Sequence, residues 1–389
     1  MAISKKTSRN FRTQLNGAQK KSGICTWRFV FSGIEKVTGQ ERRFFIELCT
    51  INPSLSPNEM LLGYKPRVNI TADDLQNVLS GTLSAQKIRS ESFVVPSYIV
   101  VRAGVLGPGA KQVCDYSAAR DVSISTKEFH VETSHAVFTE DKLTGRMDCS
   151  PGDIQEHPEY LCDSGIISWE LRYEIRKDFT EGYNGKNCIW NAVGGRTVFA
   201  GIFSLDGKEY EVIPKKSQGY IDHFIGKDVV YPWIHLSSCN LTSVISGKTL
   251  TESTFAVQGI FDNRVSAVVD LEGRKVVFEA DKGKRAFESF WDFTQMPEGE
   301  GGEKLHWTIS LHNKTHVVDI DVFCPAGQMY VRSIEVPEGK RKVLKMLSGG
   351  TGSGEIRLYK RIRKNLELIE QAHIAGCVCE YGQLEEPEE

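Results

Sequence analysis

No segment of the 389 residues approaches the roughly 18 consecutive apolar residues that a membrane-crossing helix needs. The basic residues near the start are not followed by an apolar run, so a secretory signal is not expected. An excess of either charge is missing as well. The 48 Lys and Arg stand against 50 Asp and Glu, a formal net charge of -2, which gives no reason to expect a nucleic-acid partner. Paired C-x-x-C knuckles are lacking. The ten cysteines are scattered rather than framed, which points to free thiols in a reducing compartment, and a cytoplasmic location is expected. Sequons such as that at Asn313 then carry no meaning.

Several enzyme signatures are absent too: there is no G-x-S-x-G elbow, no H-E-x-x-H and no P-loop. The glycine-rich SGGTGSGE at 348–355 lacks the Lys-Ser/Thr ending and reads as a turn leading into a strand. Cys149, His157 and Cys162 share one loop without knuckle spacing, and His312 and His316 flank a polar turn. No metal site and no cofactor are expected.

What is present is period-two alternation, the signature of half-buried strands. Trp307, Ile309 and Leu311 share one face of KLHWTISLH, Val318, Ile320 and Val322 share one face of HVVDIDVF, and HNKTH between them has the composition of a hairpin turn. Short strands recur from CTWRFVFSG to IAGCVCEYG, punctuated by turn signals such as Asp206-Gly207 and Glu272-Gly273. The pattern predicts an all-β protein of sandwich or barrel type, each half holding strands for a barrel of about eight. One short helix is expected in TADDLQNVLSG, capped by Thr71, with Asp73 and Asp74 in its first turn, an apolar stripe at Leu75, Val78 and Leu79, and Gly81 as its stop.

Three divisions follow. Residues 1–22, with Lys5, Lys6, Arg9, Arg12, Lys20 and Lys21 and no acidic residue, read as a disordered basic arm. Such an arm also suits peripheral contact with anionic lipid. Residues 23–205 form the first barrel, and 206–389, ending in the acidic LEEPEE, form the second.

The densest chemistry lies in SQGYIDHFIGKDVVYPWIHLSSCN, residues 217–240. In an extended chain Tyr220, Asp222 and Phe224 share one face and His223 takes the other. The same rule groups Tyr231, Trp233 and His235. A carboxyl between two aromatics on a barrel-facing side loses solvation, and a carboxylic acid held neutral is a general acid. The plainer reading makes Asp222 an ordinary hydrogen-bonded strand residue and the aromatics core.

This segment resembles the motif of the tocopherol cyclase-like family, in which a tyrosine, an acidic residue and a glycine precede a Trp-rich strand ending near an Asn. GGRTVFAGIFSLDGKEYEVIPKKSQGY looks like that family's approach to the motif, and Asp222-His223 is similar to the Asp-His of carotenoid 1,2-hydratases. The resemblance covers most of the chain from about residue 23, its specific part being 194–241. It departs at Phe224-Ile225, where the cyclases have Asn-Trp, and at His235, where they have a second Trp.

The resemblance implies two lipocalin-like antiparallel barrels packed together and a hydrophobic, isoprenoid-like ligand. It also implies protonation of a prenyl double bond, followed by capture of the cation by a phenol or by water. Asp222 would then be the acid. Tyr220, Phe224, Tyr231, Trp233, His235 and Asn240 would line the substrate site. Two other readings stand beside it: a carrier that binds a lipophile without reacting, and a filled barrel acting through its surface.

Overall fold

A computed structural model describes residues 5–12, 14–15, 22–53, 67–68, 71–84, 93–94, 97–125, 127–283, 285–299, 302–337 and 342–385. Lys20, Lys21 and the end of the acidic tail lie outside the described residues.

The fold is all-β. One antiparallel sheet runs in the order Lys111–Ala118, Tyr98–Leu106, Glu41–Asn52, Gly23–Glu35, Cys188–Leu205, Gly165–Lys177 and Lys142–Cys149. Between Gly23–Glu35 and Cys188–Leu205 one slot is filled end to end by two short strands, Lys208–Val212 and Gly219–Gly226. The sheet curls until Lys142–Cys149 lies beside Lys111–Ala118. The second sheet runs Arg274–Phe278, Arg264–Leu271, Thr254–Phe261, Trp233–Ser238, Asn365–Glu385, Val343–Ile362, His316–Pro325, Gly302–His312 and Glu288–Gly299. Its ends meet where the Val265 N–H donates to Ser289 Oγ at 3.2 Å. Two antiparallel barrels, packed together, result.

The hairpin expected at HNKTH is formed. Trp307 pairs with Val322, Ile309 with Ile320 and Leu311 with Val318, all six buried. Asn313 Oδ1 accepts from the backbone N–H of Thr315 and of His316. These strands have one wet face and therefore alternate cleanly. Gly23–Glu35 does not, because both its faces are buried. Cys25, Trp27, Phe29 and Phe31 point into the first barrel, and Ile24, Arg28 and Val30 point toward the second.

Three expectations change. The chain passes from the first sheet to the second between Gly226 and Trp233 rather than at Asp206, because the edges of Gly23–Glu35 and Cys188–Leu205 capture two further strands. Lys5–Arg12 is not a disordered arm but a helix whose Phe11 is 1% exposed. Phe11 packs 4.4 Å from the Phe129 ring, and its carbonyl accepts from Trp27 Nε1 at 2.8 Å. Arg12 pairs with Glu140 at 2.7 Å. Finally, 348–355 lies inside the long strand Val343–Ile362, where the register shifts at Gly349, Gly352 and Gly354. A Cβ at Gly354 would collide with the Asp321 carbonyl of the neighbouring strand, so glycine is there for close backbone approach.

The helix Ala72–Leu79 forms with the expected Thr71–Asp74 capping box, yet Leu75 and Leu79 of its stripe are exposed. Among the described residues, no helix is long and apolar enough to cross a membrane. Among the described residues, no disulfide joins any of the ten cysteines. Because Phe11 fills an aromatic pocket of the first barrel, Phe11→Ala should lower stability by about 3 kcal/mol in urea denaturation. An unchanged midpoint would show that the helix contributes no packing.

Candidate functional site between the two barrels

Gly219–Gly226 is held on both edges and buried on both faces. Ile221, His223 and Ile225 turn into the first barrel. There His223 stacks on Trp27 at 4.7 Å and lies 3.3 Å from Cys25 Sγ. Tyr220, Asp222 and Phe224 turn outward, so the face that strand parity assigns to Asp222 is the seam between barrels, not a barrel interior. After the crossing, Trp233–Ser238 returns along the opposite wall. His235 Nδ1 comes within 3.9 Å of Asp222 Oδ2, and the Trp233 ring within 6.0 Å of Phe224.

Across the seam face of the first sheet runs one cross-strand row. Asp222 sits opposite Arg28, Arg28 opposite Glu47, and Glu47 opposite Arg102. The second barrel answers with Arg332, Glu335 and Glu380. Arg28 spans Asp222 Oδ2 (2.7 Å) and Glu380 Oε2 (2.6 Å). Arg332 joins Glu380 at 3.6 Å to Glu47, and Arg102 pairs with Glu335, which also accepts from Tyr116. Each of these seven charged residues is at most 4% exposed. Charges withdrawn this far from water persist only when each meets a partner, and alternation along the row supplies one.

A cavity of about 50 Å³ opens against this row. Phe224, Val229, Trp233, Ile334, Leu344 and Met346 give it mainly apolar walls. Two polar atoms on its lining are unengaged. The hydrogen bonds of Asp222 all land on Oδ2, from Arg28 (2.7 Å), Tyr220 (3.1 Å) and Trp190 (3.4 Å), leaving Oδ1 without one among the described residues. Gln258 is fully buried, and its Nε2 has no partner among the described residues. Its Oε1 is held 2.8 Å from His235 Nδ1, while His235 Nε2 lies 2.9 Å from Ser237 Oγ.

Of the residues singled out in the sequence, Asp222, Phe224 and Trp233 line this cavity, with Tyr220 and His235 bonded or packed directly behind Asp222. Two are elsewhere: Tyr231 is half exposed and Asn240 lines a different groove. Sequence reasoning missed Arg28, Glu47, Arg102, Gln258, Arg332 and Glu380. A signal was present, since CTWRFVF, FFIELCT, YIVVRAGV and CVCEYG each carry one lone charge in an otherwise largely apolar strand.

No family model matches this chain, and no curated protein does. Among solved structures, kievitone hydratase from Nectria haematococca is similar with a TM-score of 0.40 and 11% identity, over 94% of this chain and 93% of that one. A protein assigned as AttH from Nitrosomonas europaea gives 0.38 and 10%, over 92% of each. Likenesses this distant carry no argument about the site.

The electrostatics give the fold a pH signature. Burial works against the ionised Glu380, but Arg28 and Arg332 outweigh it and hold the carboxyl below its ordinary 4.5. Burial alone pulls His223 down to about 3, and burial with the Arg28 charge does the same to His235. Both rings are therefore neutral, and His235 donates from Nδ1 to Gln258 and accepts from Ser237. An unfolded chain takes up these two protons near 6.5, whereas the fold refuses them until about 3. Their contribution is thus complete above 6.5 and is lost on acidification, at up to about 1.4 kcal/mol per pH unit for each ring. Urea denaturation from pH 7 to 5 should show this decline, and His223→Phe should remove about half of its slope. A flat profile in the wild type would contradict the buried neutral state.

Proposed function

We propose that this chain binds an apolar small molecule bearing a hydroxyl group in the cavity between its barrels. The observation that carries the reading is the pair of unengaged atoms on a mainly apolar wall that also borders the charged row. Gln258 Nε2 is a donor and Asp222 Oδ1 an acceptor, and a hydroxyl accepts one hydrogen bond while donating another. A buried amide N–H left unmade costs free energy that a ligand oxygen would recover. The volume of about 50 Å³ takes a head group or a few waters, at roughly 10–15 Å³ each, so the apolar remainder of the ligand lies along the seam. The resemblance of residues 194–241 to tocopherol cyclase-like proteins supports an isoprenoid as that remainder.

Acid-initiated hydration or cyclisation, with Asp222 as the acid, is the second reading. One observation favours it: four buried carboxyls, on Glu47, Asp222, Glu335 and Glu380, face three guanidiniums, on Arg28, Arg102 and Arg332. Against it, Arg28, Tyr220 and Trp190 all treat Asp222 as an acceptor, so the geometry supports binding ahead of chemistry.

Native mass spectrometry of freshly purified protein should show a bound apolar alcohol of unchanged structure. Gln258→Leu should retain about tenfold less of it, the loss of one buried hydrogen bond. An empty wild-type protein, or equal retention by the variant, would contradict the binding reading. Recovery of a hydrated or cyclised product that disappears in Asp222→Asn would establish the second reading instead.

A further inference from the structure

We propose that a second groove along the seam, built around Arg43, is a site for an oxyanion: a carboxylate or phosphate group. Arg43 lies four residues before Glu47 on the same face of Glu41–Asn52 and is 7% exposed. Its guanidinium donates only to neutral acceptors: the Gln218 carbonyl and Oε1, each at 2.8 Å, and the Gly376 carbonyl at 2.5 Å. Its Nε is buried and has no partner among the described residues. The guanidiniums of Arg28, Arg102 and Arg332 in the seam each meet a carboxylate. Arg43 meets none, although the exposed Glu41 lines the same groove.

The surroundings are shaped for a guest. The groove holds about 440 Å³ and is lined by Arg42, Arg43, Gln218, Asn240 and Gln328, among others. Arg42 donates to the Pro108 carbonyl, and its Nε is likewise without a partner. The side-chain amide of Asn240 makes no hydrogen bond among the described residues. Across the seam, a Cβ at Gly376 would stand 2.7 Å from Arg43 Nη2, and one at Gly350 would stand 2.8 Å from its Cγ. Glycine at both positions leaves Arg43 its place. A buried cation without a counter-ion is costly, and two arginines lining one groove suit the oxygens of a carboxylate or phosphate. The groove is separate from the Asp222 cavity, and the inference does not rest on the function proposed above.

The test is thermal unfolding of the full chain at low ionic strength with sodium phosphate or sodium acetate, each against sodium chloride at matched ionic strength. A saturable rise in midpoint beyond chloride is expected. A rise with phosphate alone identifies a phosphate ligand, and a rise with acetate identifies a carboxylate site. Arg43→Gln should weaken the apparent affinity about tenfold or more, as loss of charged hydrogen bonds does. Gln258→Leu, in the other cavity, should leave it unchanged. If Arg43→Gln fails to fold, Asn240→Leu should weaken the same titration. No rise beyond chloride with either anion, or a rise untouched by the foldable variants at Arg43 or Asn240, would overturn the proposal.

Discussion

The structure depends on a row of buried charges. Asp222, Arg28, Glu47 and Arg102 alternate across four adjacent strands of the first barrel, and Glu380, Arg332 and Glu335 interleave with them from the second. Replacing such a network whole with apolar residues is often neutral for stability, whereas removing one member strands a charge in a dry interior. What the row contributes is therefore orientation. Only one placement of the two barrels gives each carboxylate its guanidinium, and sliding one sheet past the other would leave several charges alone.

That placement creates the candidate site. Arg28 reaches both Asp222 and Glu380, and beside it a small, mainly apolar space is left among Phe224, Trp233 and Met346. Water is largely excluded there, so the two polar atoms that the network leaves unused, Asp222 Oδ1 and Gln258 Nε2, count for more than they would at a surface. His235 stands behind both. Neutral through burial, it fixes the Gln258 amide and lies 3.9 Å from Asp222. His235 thus orients a hydrogen-bond donor at the cavity.

Much of the second barrel was legible in its sequence because its strands have one wet face. Trp307, Ile309 and Leu311 alternate with polar residues, and the hairpin at Asn313 follows from composition. The parity of Tyr220, Asp222 and Phe224 was readable for another reason: an extended backbone alone fixes which residues share a face, although both faces of Gly219–Gly226 are buried. Periodicity is lost where both faces are buried. Gly23–Glu35 shows no period, and the division expected at Asp206 falls on a hairpin within the first sheet. The lone charges in CTWRFVF or CVCEYG look like ordinary exposed residues until the fold faces them toward one another. Six basic residues without an acid suggested a disordered arm, although Phe11 among them is an anchor.

A double-mutant cycle between Arg28 and Glu380 tests the central claim most directly, because the two residues belong to different barrels. Arg28→Met, Glu380→Gln and the double variant would be compared by urea denaturation. If the ion row holds the barrels in register, the coupling energy should be about 2 kcal/mol or more. A coupling below about 0.5 kcal/mol, the value typical of independent sites, would contradict the account.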